Sequence, residues 1–227
     1  RVVGNVVAAL QTRFLMDWNA TVKNVPNAGP IRYQDNYYPL VHGKGKTSIQ
    51  IVSSGPDNDR QAIRRGYFKM INNARKYVYI QTPYLIPDDS IMDALEVAKQ
   101  SGVDVRVMIP CMPDHPFVYR ATEYYAKQLT EQGVKIYRYD KGFLHSKTVV
   151  VDDQISSVGS ANLDFRSFKL NFEANAFLYG NSFAKKMKQI FEKDEQDCTL
   201  LDNEFFAKQS WWRKFKQYFS RLLSPIL

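Results

Sequence analysis

Cysteine and histidine are scarce in this chain, with two of the first and three of the second in 227 residues. Cys111 and Cys198 have the spacing of neither a zinc site nor a disulfide framework, so reduced thiols on a cytosolic face are expected. No run of about 18 apolar residues occurs, which excludes a bilayer-spanning helix among these residues. No leader pattern of charged, apolar and small residues is visible. There is no low-complexity tract and no internal repeat. No carboxylate cluster suits magnesium, and no metal or other cofactor is expected.

What is present bounds the rest. With 44% hydrophobic residues the chain can bury a real core, most simply as one domain with a leading segment. A net charge of +8 favours an anionic partner, and nucleic acid and anionic lipid both fit it. Residues 24–46, rich in Pro, Gly, Asn and Tyr, read as a linker.

The run His145-Ser-Lys147-Thr-Val-Val-Val-Asp152 carries the chemistry. Read as a strand with period 2, it projects His145 and Lys147 from one side. An imidazole beside an ammonium suits attack on a phosphate ester, where charge builds on the non-bridging oxygens. Asp152 falls on the opposite face and is expected as a structural carboxylate at the strand end. Downstream, Ser160 and Asn162 of Gly159-Ser-Ala-Asn-Leu-Asp-Phe-Arg-Ser-Phe168 can donate to phosphate oxygens. Glu173 can accept from the far nitrogen of His145 and fix its tautomer. The other histidines read as loop residues: His42 beside Gly43-Lys-Gly45, and His115 within Pro113-Asp-His-Pro116.

The surrounding pattern predicts an α/β fold. A strand over 77–81 runs into Thr82-Pro-Tyr-Leu-Ile-Pro-Asp-Asp89, where two prolines require a loop. A helix follows with Ser90 as its cap and Gly102 as its stop. Strands are expected over 103–110, 134–139, 154–158 and 174–179, with a helix over about 117–131. This succession predicts a sheet covered by helices.

His-x-Lys-x4-Asp followed by Gly-Ser-x-Asn resembles the signature of the phospholipase D superfamily. Thr82-Pro-Tyr-Leu-Ile-Pro, Gly142-Phe-Leu-His-Ser-Lys147, the 159–168 element, Leu170-Asn-Phe-Glu173 and the closing Arg221-Leu-Leu-Ser-Pro-Ile-Leu227 look more narrowly like the C-terminal half of bacterial cardiolipin synthases. The resemblance implies a mixed β-sheet with helices on both faces. It also implies a catalytic set of His145, Lys147, Asp152 and Glu173, with Ser160 and Asn162 on the substrate phosphate. The implied reaction is phosphatidyl transfer between two phosphatidylglycerols, giving cardiolipin and glycerol through a phosphohistidine. Such enzymes have two transmembrane helices and two motif-bearing halves; this chain has one motif. Residues 1–23 then read as the end of the first half, 24–46 as the linker, 47–203 as the second domain and 204–227 as a basic amphipathic helix.

On this reading the chain is a fragment, expected to be inactive as a monomer. Its partners are anionic phospholipid, a membrane surface on the cytoplasmic side of the bacterial cell membrane, the first half and, as an option, a second copy. The full-length parent is expected to be multi-pass. No nucleic acid is expected. A hydrolytic phospholipase D or nuclease using water is the rival enzyme, and an inactive membrane-binding fragment the rival non-enzyme.

The segment 204–223 sets Phe205, Trp212, Phe215, Phe219 and Leu222 at helical steps. Lys208, Arg213, Lys214, Lys216 and Arg221 flank them. With Trp212, the cations Lys208, Arg213, Lys214 and Lys216 are the expected contacts with anionic lipid. The competing expectation is that the stripe packs on the protein's own core.

Overall fold

The computed structural model describes residues 1–39, 43, 45–112 and 114–224; His42, Pro113 and the closing residues 225–227 lie outside them. The elements run α1 (Val6–Thr21), β1 (Ser48–Ser54), α2 (Ala62–Asn73), β2 (Tyr77–Gln81), β3 (Leu85–Ile86), α3 (Asp89–Gln100), β4 (Asp104–Pro110), α4 (Pro116–Glu131), β5 (Lys135–Tyr139), β6 (Thr148–Val151), β7 (Ile155–Gly159), β8 (Leu163–Asp164), α5 (Phe165–Lys169), β9 (Glu173–Tyr179), α6 (Asn181–Glu195), β10 (Cys198–Leu201), α7 (Asn203–Ala207) and α8 (Trp211–Leu222).

Eight strands form one mixed sheet in the order β1-β9-β7-β6-β2-β4-β5-β10. β2, β4 and β5 are parallel because α3 and α4 carry the chain back across the sheet between them. The remaining neighbours in this sheet pair antiparallel.

Alternation along β2 explains the layers. Val78 and Ile80 join Val105, Val107, Ile136, Val149 and Val151 in a core shared with Ile63 and Tyr67 of α2, Leu95 of α3 and Leu129 of α4. Tyr77 and Tyr79 face the other way, with Met108 and Val150, onto Ala184 and Phe191 of α6. Every residue of β2 is buried, as expected for a strand covered on both faces.

Several sequence expectations shift locally. The helix after the proline loop is capped by Asp88 rather than Ser90: its carboxylate accepts from Ile91 N at 3.0 Å. The proline loop holds a short strand, β3, which pairs with β8. The strand read through His145 and Lys147 begins only at Thr148, so the motif's first residues form the extended lead into β6. The single C-terminal helix is two. Asp202 caps α7 by accepting from Phe205 N at 2.7 Å, and Ser210 caps α8 by accepting from Arg213 N at 3.3 Å. Two capping side chains eight residues apart divide what the apolar periodicity reads as continuous.

Candidate active site

The lead into β6 brings His145 to the edge where the parallel strands end. Thr148 pairs with Gln81 at the end of β2 and with Val158 near the end of β7. Gly159 N then donates to Lys147 O at 3.3 Å, extending that ladder one step toward the histidine. The carboxyl ends of β2 and β4, the end of β7 and the start of β9 thus meet at one rim, the usual place for a site in such sheets.

His145 is exposed, with the Phe143 ring stacked on it at 5.5 Å between centroids. Lys147 is half-buried. It lines a narrow cleft with Gln81, Thr82, Ala161 and Leu163, and its ammonium donates to His145 O at 3.0 Å. Burial pushes the Lys147 ammonium below its usual range, while Glu173, Asp164 and Asp114 pull it back up. Asp114 also accepts from the Tyr84 hydroxyl of the proline loop.

The 159–164 turn is fixed from beneath. Gly159 approaches Asn175 so closely that a Cβ there would collide with its amide, so glycine is required. Asn175 Oδ1 accepts from Ala161 N at 3.2 Å, and its Nδ2 donates to Ser157 Oγ and to the Tyr67 hydroxyl at 3.0 and 2.7 Å. The fully buried Tyr67 phenol is pushed up to about 12 by desolvation and stays neutral.

The structure disposes the expected residues unequally. His145 and Lys147 lie together. Ser160 is exposed, but its hydroxyl is tied to Ala174, accepting from N at 3.0 Å and donating to O at 3.4 Å. Asn162 is buried; its Nδ2 donates to Asp164 Oδ2 at 3.0 Å, and its Oδ1 has no hydrogen-bond partner among the described residues. Its amide is thus committed to Asp164 on the donor side, which differs from the free donor to phosphate expected.

Glu173 accepts from Asn171 Nδ2 at 3.2 Å, and no hydrogen bond joins it to His145. The turn after α5 brings Asn171 to it, with Arg166 Nε donating to Asn171 Oδ1 at 3.2 Å. Glu173 acts here as a neighbouring charge of Lys147.

Asp152 does not join His145 and Lys147 at the rim. It sits past the far end of β6, in a turn where Asp152 and Asp153 both have positive φ, at 54° and 56°. Its carboxylate accepts the backbone amides of Arg75, Lys76 and Tyr77 at 2.7, 2.9 and 2.8 Å. At about 3.3 Å per residue it stands some 20 Å from His145.

Sequence reasoning missed Asn175, Asp164, Ser167 and Asp114. Asn175 could have been found as a buried-parity polar residue two positions after Glu173 in an apolar strand. Asp164 caps α5 by accepting from Ser167 N at 2.6 Å while holding Asn162. Nothing local in the sequence marks Asp114.

Among the described residues no three His, Cys, Asp or Glu side chains converge as metal ligands would. A cavity of about 830 Å³ lies between the 1–10 segment and strands β1 and β9, and reaches Gly159, Ala174 and Asn175 beneath the 159–164 turn.

The chain matches the family model described as "Cardiolipin synthase, PLD-like domain" over residues 67–195. It is 56% identical over 227 residues to cardiolipin synthase of Listeria monocytogenes, covering all of this chain and 46% of that protein. Against cardiolipin synthase of Staphylococcus aureus the identity is 51%, covering all of this chain and 45% of that protein. The chain thus spans about half the length of the curated relatives it matches. Among solved structures, phosphatidylserine synthase of Haemophilus influenzae superposes with a TM-score of 0.65 at 14% identity, over 82% of this chain and 50% of that one. Nuc, a phospholipase D family member from Salmonella typhimurium, gives 0.58 at 19%, over 70% of this chain and all of that one; both likenesses speak for the fold. With a family model matched over more than half its length, the chain belongs to the cardiolipin synthase family of phospholipase D-like domains.

Proposed function

We propose that this chain supplies half of the catalytic centre of a phosphatidyltransferase that joins two phosphatidylglycerols into cardiolipin. The observation that carries the reading is an exposed imidazole, His145, beside the partly desolvated Lys147 ammonium at the carboxyl ends of the parallel strands. A second histidine comes from the remainder of the protein. Residues 47–203 form the domain with this motif, 24–46 link it to what precedes, and 1–23 close the preceding half.

In this mechanism one histidine attacks the phosphorus of the first lipid. The phosphorus–oxygen bond to the terminal glycerol breaks, and the other histidine protonates the leaving oxygen. That second histidine, now neutral, takes the proton from the terminal hydroxyl of the second lipid as its oxygen attacks the phosphohistidine. The phosphorus–nitrogen bond breaks and cardiolipin leaves. His145 takes one of these two roles. Lys147 neutralises the non-bridging oxygens. Ser160 and Asn162 border the phosphoryl group and orient it, and Glu173 and Asp114 keep Lys147 charged. Asp152 acts only on the architecture. The protein works at the cytoplasmic face of a bacterial membrane.

The test is product analysis on phosphatidylglycerol vesicles with the full-length protein. Cardiolipin and glycerol in equal amounts support transfer. Phosphatidic acid as the main product overturns it in favour of hydrolysis. Loss of both products in His145→Ala ties the chemistry to this half.

A further inference from the structure

The amphipathic helix α8 is mounted the wrong way round for a helix that serves the core. At about 100° per residue, Trp211, Trp212, Phe215, Tyr218, Phe219 and Leu222 fall within an arc of roughly 120°. All six are at least half exposed. On the opposite side of the helix Gln217 and Ser220 are buried, and Arg213 reaches the buried carboxylate of Glu123 on α4. Gln217 Nε2 donates to the same carboxylate at 3.2 Å. The helix thus docks through its polar side and turns its aromatic side to solvent. Burying the aromatics would be the cheaper arrangement in water, so the exposed arc calls for another apolar phase.

The rim of the arc identifies that phase. Lys214 and Arg221 border it on one side and Lys216 on the other. Lys214 is drawn back, its ammonium donating to Ala207 O at 3.0 Å, and the Arg221 guanidinium rests over Tyr124 at 5.3 Å. Trp211 and Trp212 lie at the start of the helix with Phe215 against both rings, each pair 6.0 Å apart between centroids. Indole rings beside cations on both borders of an apolar stripe match the boundary between acyl chains and anionic headgroups. The helix carries no carboxylate, so the complement of its border is an anionic surface.

We propose that α8 lies in the plane of an anionic lipid surface, with its aromatic arc in the acyl boundary and its border cations at the headgroups. The polar Glu123–Arg213 contact is then the joint that fixes the domain's tilt on the membrane. α4 begins two residues after Asp114, and Glu123 lies about 10 Å along it. Docking α8 therefore sets the mouth of the site near the same surface. The membrane contacts expected from the sequence are redistributed: Trp212 and Lys216 stay on the lipid side, Lys214 sits on the border, Arg213 belongs to the joint, and Lys208 pairs with Glu204 on α7.

This surface is independent of the chemistry at His145 and is tested without turnover. The 227-residue chain is sedimented with phosphatidylcholine vesicles, with and without phosphatidylglycerol, across a salt series. Trp212→Ser, Phe215→Ser and Phe219→Ser together should lower binding by about tenfold or more, with circular dichroism and Tm unchanged because these rings touch little protein. Leu222→Ser, at the most exposed of the six positions, is the milder second variant should the triple one fold poorly. Lys216→Gln should weaken binding only to the anionic vesicles, about fivefold at low salt. In a Trp18→Phe background, brominated lipid should quench Trp211 and Trp212. Equal sedimentation of the folded serine variants and the parent overturns the proposal. So does a dimer, seen by light scattering, that the serine variants dissolve while vesicle binding stays the same.

Discussion

Arg213 and Glu123 stand ninety positions apart and close an ion pair between α8 and α4 in which the carboxylate is buried and the guanidinium is partly exposed. Arg120 Nη1 donates to the same carboxylate at 2.6 Å, so Glu123, 2% exposed, is met by two guanidinium groups and the Gln217 amide. A pair with a carboxylate this enclosed matters chiefly when one partner is removed, because the other is left as a poorly compensated charge.

Arg213→Gln is therefore expected to lower stability by about 2 kcal/mol, less than the full cost of an orphaned charge because Arg120 remains. Lys216→Gln, on the exposed side of the same helix, should leave Tm within about a degree. Parallel thermal and urea unfolding of both variants checks this. Equal, small losses would show that the α4–α8 joint contributes nothing to the fold.

Asp152→Asn should act on stability, by about 1–3 kcal/mol, because one of the two oxygens that collect three backbone amides becomes an amide nitrogen. Its kcat in the full-length protein, measured below the lowered Tm, should stay within a few-fold of the parent. A variant with unchanged Tm and no activity would return Asp152 to the reaction.

His145→Ala and Lys147→Ala should each reduce turnover by about 10²–10⁴-fold with the fold intact. Burial lowers the Lys147 ammonium in the folded state, so its charge should be lost at lower pH than that of a free lysine. Activity should fall on that alkaline limb. Stability moves the other way: the folded chain binds fewer protons than the unfolded one between the two values, so this group's contribution rises with pH there. Lys147→Arg should shift the activity limb upward if it remains active. An unchanged limb would detach Lys147 from the profile.

Asp104 offers an acid-side test. Burial alone would raise its carboxyl, but donors on Arg106, Lys135 and Tyr79, at 2.8, 3.1 and 3.0 Å, hold it down to about 2. A depressed carboxyl contributes stability above its ordinary value near 3.8 and loses it as pH falls toward about 2. Asp104→Asn should flatten the fall in stability between about pH 4 and 2. An identical acid limb in the variant would show that this cluster does not set it.

Turnover by the full-length protein should survive EDTA, because Lys147 and hydrogen-bond donors stabilise the phosphoryl charge in the proposed mechanism. Complete loss restored only by a divalent ion would reject that route.

Much of this architecture was readable from residue patterns. The alternation of 77–81, the two prolines after it, and glycines at 102 and 133 marked a buried strand, a rim loop and two helix stops. Period alone misled at the C-terminus. Phe205 and Phe219 keep helical spacing, yet Asp202 and Ser210 each cap a helix between or before them. The side that α8 turns inward could not be read either, since it depends on Glu123, remote in sequence and buried in α4. Asp114 and Asn175 were hidden for the same reason: their place around Lys147 and the 159–164 turn exists only once β2, β7 and β9 share an edge.

The four unspecified positions between Lys147 and Asp152 are Thr148, Val149, Val150 and Val151, the whole of β6. The motif is then a ruler. One end carries the residues proposed for the reaction, the other clips the β6–β7 hairpin to the start of β2, and the gap is the length of one strand. A chain that kept Asp152 but lost His145 would preserve a folded domain without its chemistry. An insertion within the four would separate the two ends by one pleat and turn the lysine away from the rim while every named residue of the motif was still present.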